Sequence, residues 1–217
     1  MAFIFPSASL VPDKATVAKR WLATTTWFDG DVDAVEVPFR CAYRFDDPAG
    51  RVGVETLVVH DGGRWLQVPF TYRDAPLPGG DSALIAQMQH SVLGRRWVYP
   101  GAADPVAVSC YIRTIIDRGR SATVEFDSDD GRRRVELGVS AHGTGTTGLS
   151  GHDVDVLGIL EADLDSATAR IQTSMGLVTI PYIVEADGDL TTAGPALVGS
   201  VPGLHGDVVL ATFEPRA

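Results

Sequence analysis

The 217-residue chain carries a formal net charge of −10, with 45% hydrophobic and 21% charged residues. That is the make-up of a folded protein with a proper core, and it excludes a disordered chain. The acidic excess argues against a general role on nucleic acid or on an anionic membrane surface, because the only basic clusters are Arg95-Arg96 and Arg132-Arg133-Arg134.

At the N-terminus, Met1 to Pro6 has no basic start and its apolar run is stopped by Pro6. No stretch approaches the roughly 20 apolar residues of a membrane helix, so a cytoplasmic protein is expected. A helix is predicted from about Pro12 to Thr24, capped by Ser9 or Asp13, with Val17, Trp21 and Leu22 as its apolar stripe. Three antiparallel strands follow, Val35 to Phe45, Val52 to His60 and Trp65 to Arg73. The turns Asp46-Asp47-Pro48-Ala49-Gly50 and Asp61-Gly62-Gly63 join them. Asp81 to Gln89 reads as a short helix, and Arg96 to Tyr99 as a short extended piece. Asp104-Pro105 opens a second helix, which runs to about Arg118 with Val108, Tyr111, Ile112, Ile115 and Ile116 at helical spacing. Beyond Ser121 the pattern is β. Ala122 to Phe126 and Arg134 to Ser140 flank an acidic turn, and Val154 to Leu160, Gly176 to Glu185 and Asp207 to Phe213 are further strands. The Gly/Thr-rich stretch His142 to Gly151 reads as a surface loop. Cys41 and Cys110 are too few for a disulfide scaffold and read as buried free thiols, one in a strand and one in a helix. The fold expected is α+β, with helices packed on a curved antiparallel sheet and a β-rich second half. A boundary is placed between 1–118 and 119–217, with a second part continuous with the first as the alternative.

Three stretches carry a resemblance. They are Tyr43 to Thr56, Leu66 to Leu77, and His90-Ser91-Val92-Leu93-Gly94-Arg95-Arg96-Trp97-Val98-Tyr99 followed by Asp104-Pro105. Together they resemble the N-terminal cap of maltokinases, which phosphorylate maltose with ATP in bacterial glycogen and trehalose metabolism. They also resemble small stand-alone proteins with a cap-like domain, and the third stretch agrees better with these. The resemblance spans roughly residues 10 to 118, and Leu197 to Ala211 weakly resembles the ends of the stand-alone proteins.

A kinase-like fold needs a strand Lys for the phosphates, a catalytic-loop Asp and Mg²⁺ ligands. Here no Lys follows Lys19, there is no HRD- or DFG-like string, and His152-Asp153 lacks a downstream Asn. Arg does not substitute for that Lys, because its planar fork presents a different geometry. Gly143-Thr144-Gly145-Thr146-Thr147-Gly148 matches GxGxxG, but it leads into a broken, Gly-containing stretch rather than a helix, and reads as a flexible loop. His142, His152, Asp153 and Asp155 fit no zinc or calcium spacing, and Asp127 to Asp130 lacks EF-hand alternation, so no metal and no cofactor are expected. No G-x-S-x-G elbow accompanies His90, Ser91 and Asp104.

The strongest candidate for a recognition surface is His90, Arg95, Arg96, Trp97, Tyr99 and Asp104, with Tyr72 and Arg73 nearby, since Arg and aromatic residues are favoured at binding hot spots. The architectural alternative pairs Arg95 or Arg96 with Asp46, Asp47 or Asp104 and puts Trp97 in the core, as Trp21, Trp27 and Trp65 are expected to be. By resemblance the chain is a non-catalytic cap-like module, a partner or regulator of α-glucan or trehalose enzymes or of a kinase-like protein. A carbohydrate- or phosphosugar-binding module is the alternative, and an ATP-dependent sugar kinase is the third reading.

Overall fold

In the computed structural model, residues 2–3, 8–128, 131–154, 158–186 and 194–216 are described. Strands β1 (Ala2–Phe3) and β2 (Leu10–Val11) precede helix α1 (Lys14–Thr24). Asp13, not Ser9, caps α1, its carboxylate accepting the Thr16 N–H at 2.7 Å. Val17, Ala18, Trp21 and Leu22 are the buried stripe of this helix, three to four residues apart as a helix requires.

Strands β3 (Ala42–Asp46), β4 (Val52–His60) and β5 (Trp65–Arg73) form the expected meander. β3 starts later than predicted, because Val32–Ala34 takes up a single 3-10 turn and Arg40 turns the chain with φ 62°. The β3–β4 turn is built by Asp47, whose carboxylate accepts the N–H groups of Ala49, Arg51 and Val52, with Gly50 at φ 69°. The helix predicted from Asp81 to Gln89 is not formed. Only Asp81–Ala83 makes a turn, and β6 (Ala86–His90) then pairs with β7 (Gly94–Pro100). Ala86 and Met88 are buried while Gln87 and Gln89 are exposed, a two-residue period that outweighs the capping signal of Asp81.

Helix α2 (Pro105–Ile116) begins at Asp104, with Pro at its first position. It is buried on nearly every side, because it contacts β3 and β4 of one sheet and β10, β15 and β16 of another. The later strands are β8 (Val124–Ser128), β9 (Gly131–Val135), β10 (Ser140–Gly143), β11 (Ile159–Asp163), β12 (Thr168–Thr173), β13 (Gly176–Pro181), β14 (Ile183–Val184), β15 (Ala196–Ser200) and β16 (Asp207–Pro215). The predicted strand from Arg134 to Ser140 is thus split between β9 and β10, and the one from Val154 begins only at Ile159. β12 and β15 were not anticipated. Asp129, Asp130 and Asp155 lie outside the described residues.

Three sheets result. One has the order β2-β6-β7-β5-β4-β3, with β14 added to the free half of β5. A second runs β10-β15-β16-β13-β12-β11, and a small third runs β1-β8-β9. All described pairings are antiparallel except β1 with β8. Among the described residues strand exceeds helix, 43% to 18%, so the α+β class holds with its weight on β.

The His142 to Gly151 stretch is not a free loop. Gly145 N–H donates to Ile115 O at 2.9 Å and Gly151 N–H to the Asp117 carboxylate at 2.8 Å, closing the end of α2. A Cβ at Gly143 would lie 2.0 Å from Thr114 O, so this glycine permits close approach to the helix rather than to a phosphate.

Candidate functional site

Residues directly opposite in an antiparallel pair share a face, and neighbours along a strand take opposite faces. Arg44 pairs with Glu55, Gly53 with Tyr72, Tyr72 with Val98, Met88 with Arg96 and Leu10 with His90. These residues therefore lie on one face of the seven-stranded sheet. Arg73, Trp97 and Tyr99 fall on the other face, where Arg73 pairs with Trp97 and Thr71 with Tyr99.

The predicted recognition cluster is thereby divided. Tyr72, His90 and Arg96 line a groove of about 700 Å³. On the opposite face Arg73 binds both oxygens of Asp104 at 2.8 and 2.7 Å. Asp104 is fully buried and caps α2 through the Val106 N–H. The buried Tyr99 hydroxyl accepts the Leu77 N–H at 3.0 Å, and the Arg95 guanidinium lies 5.9 Å from the Trp97 ring centre. Asp104 is thus paired by Arg73, not by Arg95 or Arg96, and Trp97 is only half-buried. Arg96 donates to Leu93 O at 3.0 Å, and Asp47 gives its carboxylate to the β3–β4 turn. Trp21 is in the core, whereas Trp27 and Trp65 are partly buried against it.

Among the groove residues that escaped the sequence reading are Lys14, Arg44 and Glu55. Glu55 is buried at 4% exposure, with Lys14 Nζ 2.6 Å from Oε2 and Arg44 Nη1 3.8 Å from Oε1. The signal was present, since Glu55 is the one acidic residue inside the apolar run Val52 to Val59, and a buried carboxylate demands a partner. Burial pushes the Glu55 carboxyl up, but the charges of Lys14 and Arg44 outweigh it and hold the carboxyl below its ordinary value of 4.5. Burial also raises the Tyr72 hydroxyl well above its usual range, and the Glu55 charge adds to this. His90 is shifted the other way, held below 6.5 by burial and by the charges of Arg96 and Lys14. Its Nδ1 accepts the N–H groups of Val92 and Leu93 at 3.1 and 3.2 Å, which shapes the β6–β7 hairpin at the groove rim.

A depressed carboxylate lends stability above its unfolded-state value, and loses it as pH falls through the lower folded value. Lys14→Met is therefore expected to cost about 2 kcal/mol at neutral pH, the scale of leaving a buried charge poorly paired. The deficit should shrink as pH falls below the ordinary carboxylate range and Glu55 protonates. Urea unfolding of both proteins at neutral and acid pH measures this.

Both thiols are buried, Cys110 within α2 and Cys41 just before β3 rather than within it. Burial pushes Cys41 up to about 11 and Cys110 up to about 12, which disfavours the reactive thiolate. His142 lies on β10 and His152 is exposed. Among the described residues no group of three His, Cys, Asp or Glu side chains is placed to hold a metal, and no helix is long and apolar enough to cross a membrane.

Comparison with known proteins gives one family. Residues 21–104 match the maltokinase N-terminal cap domain. No curated protein matches the chain. The matched segment holds the groove wall from Arg44 to Arg96, while Ala8, Leu10 and Lys14 come from the residues before it. Over residues 21–104 the chain is thus similar to the maltokinase N-terminal cap domain family.

Proposed function

We propose that the chain is a non-catalytic, cytoplasmic, maltokinase-cap-like module of bacterial α-glucan and trehalose metabolism. It binds a sugar in the groove beside Glu55 and acts as a partner or regulator of the enzymes of that metabolism. The groove is the observation that supports sugar binding. A sugar offers hydroxyls that both donate and accept, together with an apolar C–H face. The groove matches both properties. Glu55 and Asp74 supply acceptors, Lys14, Arg44, Arg51 and Arg96 supply donors, and Tyr72, Met88 and Leu10 supply apolar surface. The lack of any Lys after Lys19 supports a role without phosphoryl transfer.

The regulatory role draws on the family match, which is an argument by analogy. Docking onto a maltokinase-type enzyme is the second reading. It is favoured by Val11, Val92 and Leu93, large apolar side chains exposed at the β2–β6–β7 edge.

Calorimetric titration of the chain with maltose, trehalose and glucose tests the first reading. Saturable heat is expected with at least one sugar, together with weaker binding by Arg96→Gln, which removes a donor from the groove lining. No heat with any of the three would defeat sugar binding. Co-purification with a maltokinase-type enzyme, lost on changing Val92 and Leu93 to Ser, would then favour docking.

A further inference from the structure

A glycine within a paired strand weakens it and leaves nothing to pack, so the fold usually supplies a reason for it. Two such reasons are visible in this chain. Gly50 and Gly62 turn the backbone at positive φ, and a Cβ at Gly199, inside β15, would lie 2.0 Å from Ser140 O. Gly53 has neither reason. It is paired on both sides, with Asp46 on β3 and Tyr72 on β5, and its φ is not positive. A Cβ there would meet only ordinary contacts: Tyr72 Cβ at 3.5 Å, Tyr72 Cδ2 at 3.6 Å and Arg44 Nη2 at 3.7 Å. The fold has room for a side chain that the sequence does not provide.

That room opens into the groove, because Asp46, Gly53 and Tyr72 stand side by side across three strands and all three line it. The charges around it balance. Four carboxylates, Asp46, Asp47, Glu55 and Asp74, face four cations, Lys14, Arg44, Arg51 and Arg96. Glu55 is already paired with Lys14, Asp47 is engaged by the N–H groups of its turn, and Arg96 donates to Leu93 O. His90, held below 6.5, adds little charge at neutral pH. A lining of both signs offers no net attraction to a charged ligand, whereas hydroxyls can donate to one set and accept from the other. We infer that Gly53 is the position that admits the ligand, its bare backbone leaving space on the groove floor for the ring of an uncharged sugar beside the Tyr72 side chain. The inference rests on the sugar-binding reading of the groove and adds to it a size-determining residue and a charge class. The flat C–H face of a sugar ring suits such a place, where a glycine lets a ligand approach the backbone closely.

The full chain and its Gly53→Val and Gly53→Ala variants are titrated by calorimetry with maltose, trehalose, glucose and glucose 6-phosphate, and all three proteins are melted. Gly53→Ala is expected to melt at or above the temperature of the unchanged chain, since its Cβ meets no close contact. Sugar binding should weaken about tenfold in Gly53→Ala and be lost in Gly53→Val, because each side chain occupies the space the ring needs. The alanine variant decides the matter alone if valine crowds Arg44 and unfolds the chain. Glucose 6-phosphate should bind no more tightly than glucose. A sugar bound equally by the unchanged chain and by Gly53→Ala would overturn the role of Gly53 and leave the sugar reading standing. A Gly53→Ala variant that melts well below the unchanged chain would show that the fold itself demands the glycine, and would overturn the inference as well. Tighter binding of glucose 6-phosphate than of glucose would overturn the charge class. Binding of none of the four by the unchanged chain would overturn the sugar reading and this inference together.

Discussion

A fragment ending at residue 118 is expected not to fold cooperatively, although it contains the whole cap-family segment. The first sheet depends on later residues at its centre. β14 completes β5 by pairing Ile183 with Leu66 and Val184 with Trp65, and Gln67 N–H donates to Tyr182 O at 2.8 Å. The fully buried Gln67 side chain accepts from the Tyr43 hydroxyl and donates to Pro181 O and Leu210 O. Tyr182 stacks on Trp27 at 5.2 Å and meets Trp21 edge-on at 5.1 Å. Removing residues 119–217 would also strip the faces of α2 that contact β10, β15 and β16. The fragment should bind a hydrophobic dye and unfold without a sharp transition, whereas the full chain should unfold in one. A sharply melting fragment would show instead that the boundary near Gly119 separates two independent units.

Asp104→Ala should be the most damaging single substitution on the face opposite the groove. It leaves Arg73, which is bound to both Asp104 oxygens, as a largely buried cation without its partner, and it deprives α2 of its cap. Breaking a buried pair in this way costs about 3–5 kcal/mol, a large part of the 5–15 kcal/mol typical of a folded domain. At this chain length the loss corresponds to a fall in Tm of about 10 °C. Asp104→Asn should recover only the cap, roughly 1 kcal/mol. Thermal melts of the two variants distinguish these contributions. A loss below 1 kcal/mol in Asp104→Ala would show that the pair is not needed.

Helices and turns with strong local chemistry were legible in the sequence. Asp13 before α1, Asp104-Pro105 before α2 and the Asp-rich β3–β4 turn all declare themselves through side chains that bond their own backbone. β6 was not legible, because Asp81 and Ser82 imitate a helix start while the alternation of Ala86 and Met88 with Gln87 and Gln89 takes effect only once β7 lies alongside. The site was half legible. Tyr72, His90 and Arg96 were chosen for their chemistry, but contiguity in sequence drew in Arg95, Trp97 and Tyr99, and strand alternation puts residues from that run on the opposite face. Lys14, Arg44 and Glu55 come from three elements, and only the pairing of β3 with β4 and the placement of α1 bring them together. The GxGxxG string read as a flexible loop, yet Gly143 and Gly145 serve the end of α2, a role that depends on a contact distant in sequence.

The groove lies on the face of the sheet away from α2, so ligand binding there should leave the Arg73–Asp104 face undisturbed. Amide chemical-shift mapping of the labelled chain during titration with maltose tests this most directly. The account predicts saturable shifts at Gly53, Glu55, Tyr72, Met88, His90 and Arg96, with Trp97, Asp104 and Val106 unmoved. Saturable shifts confined to the opposite face, or none at all with maltose, trehalose and glucose, would contradict it.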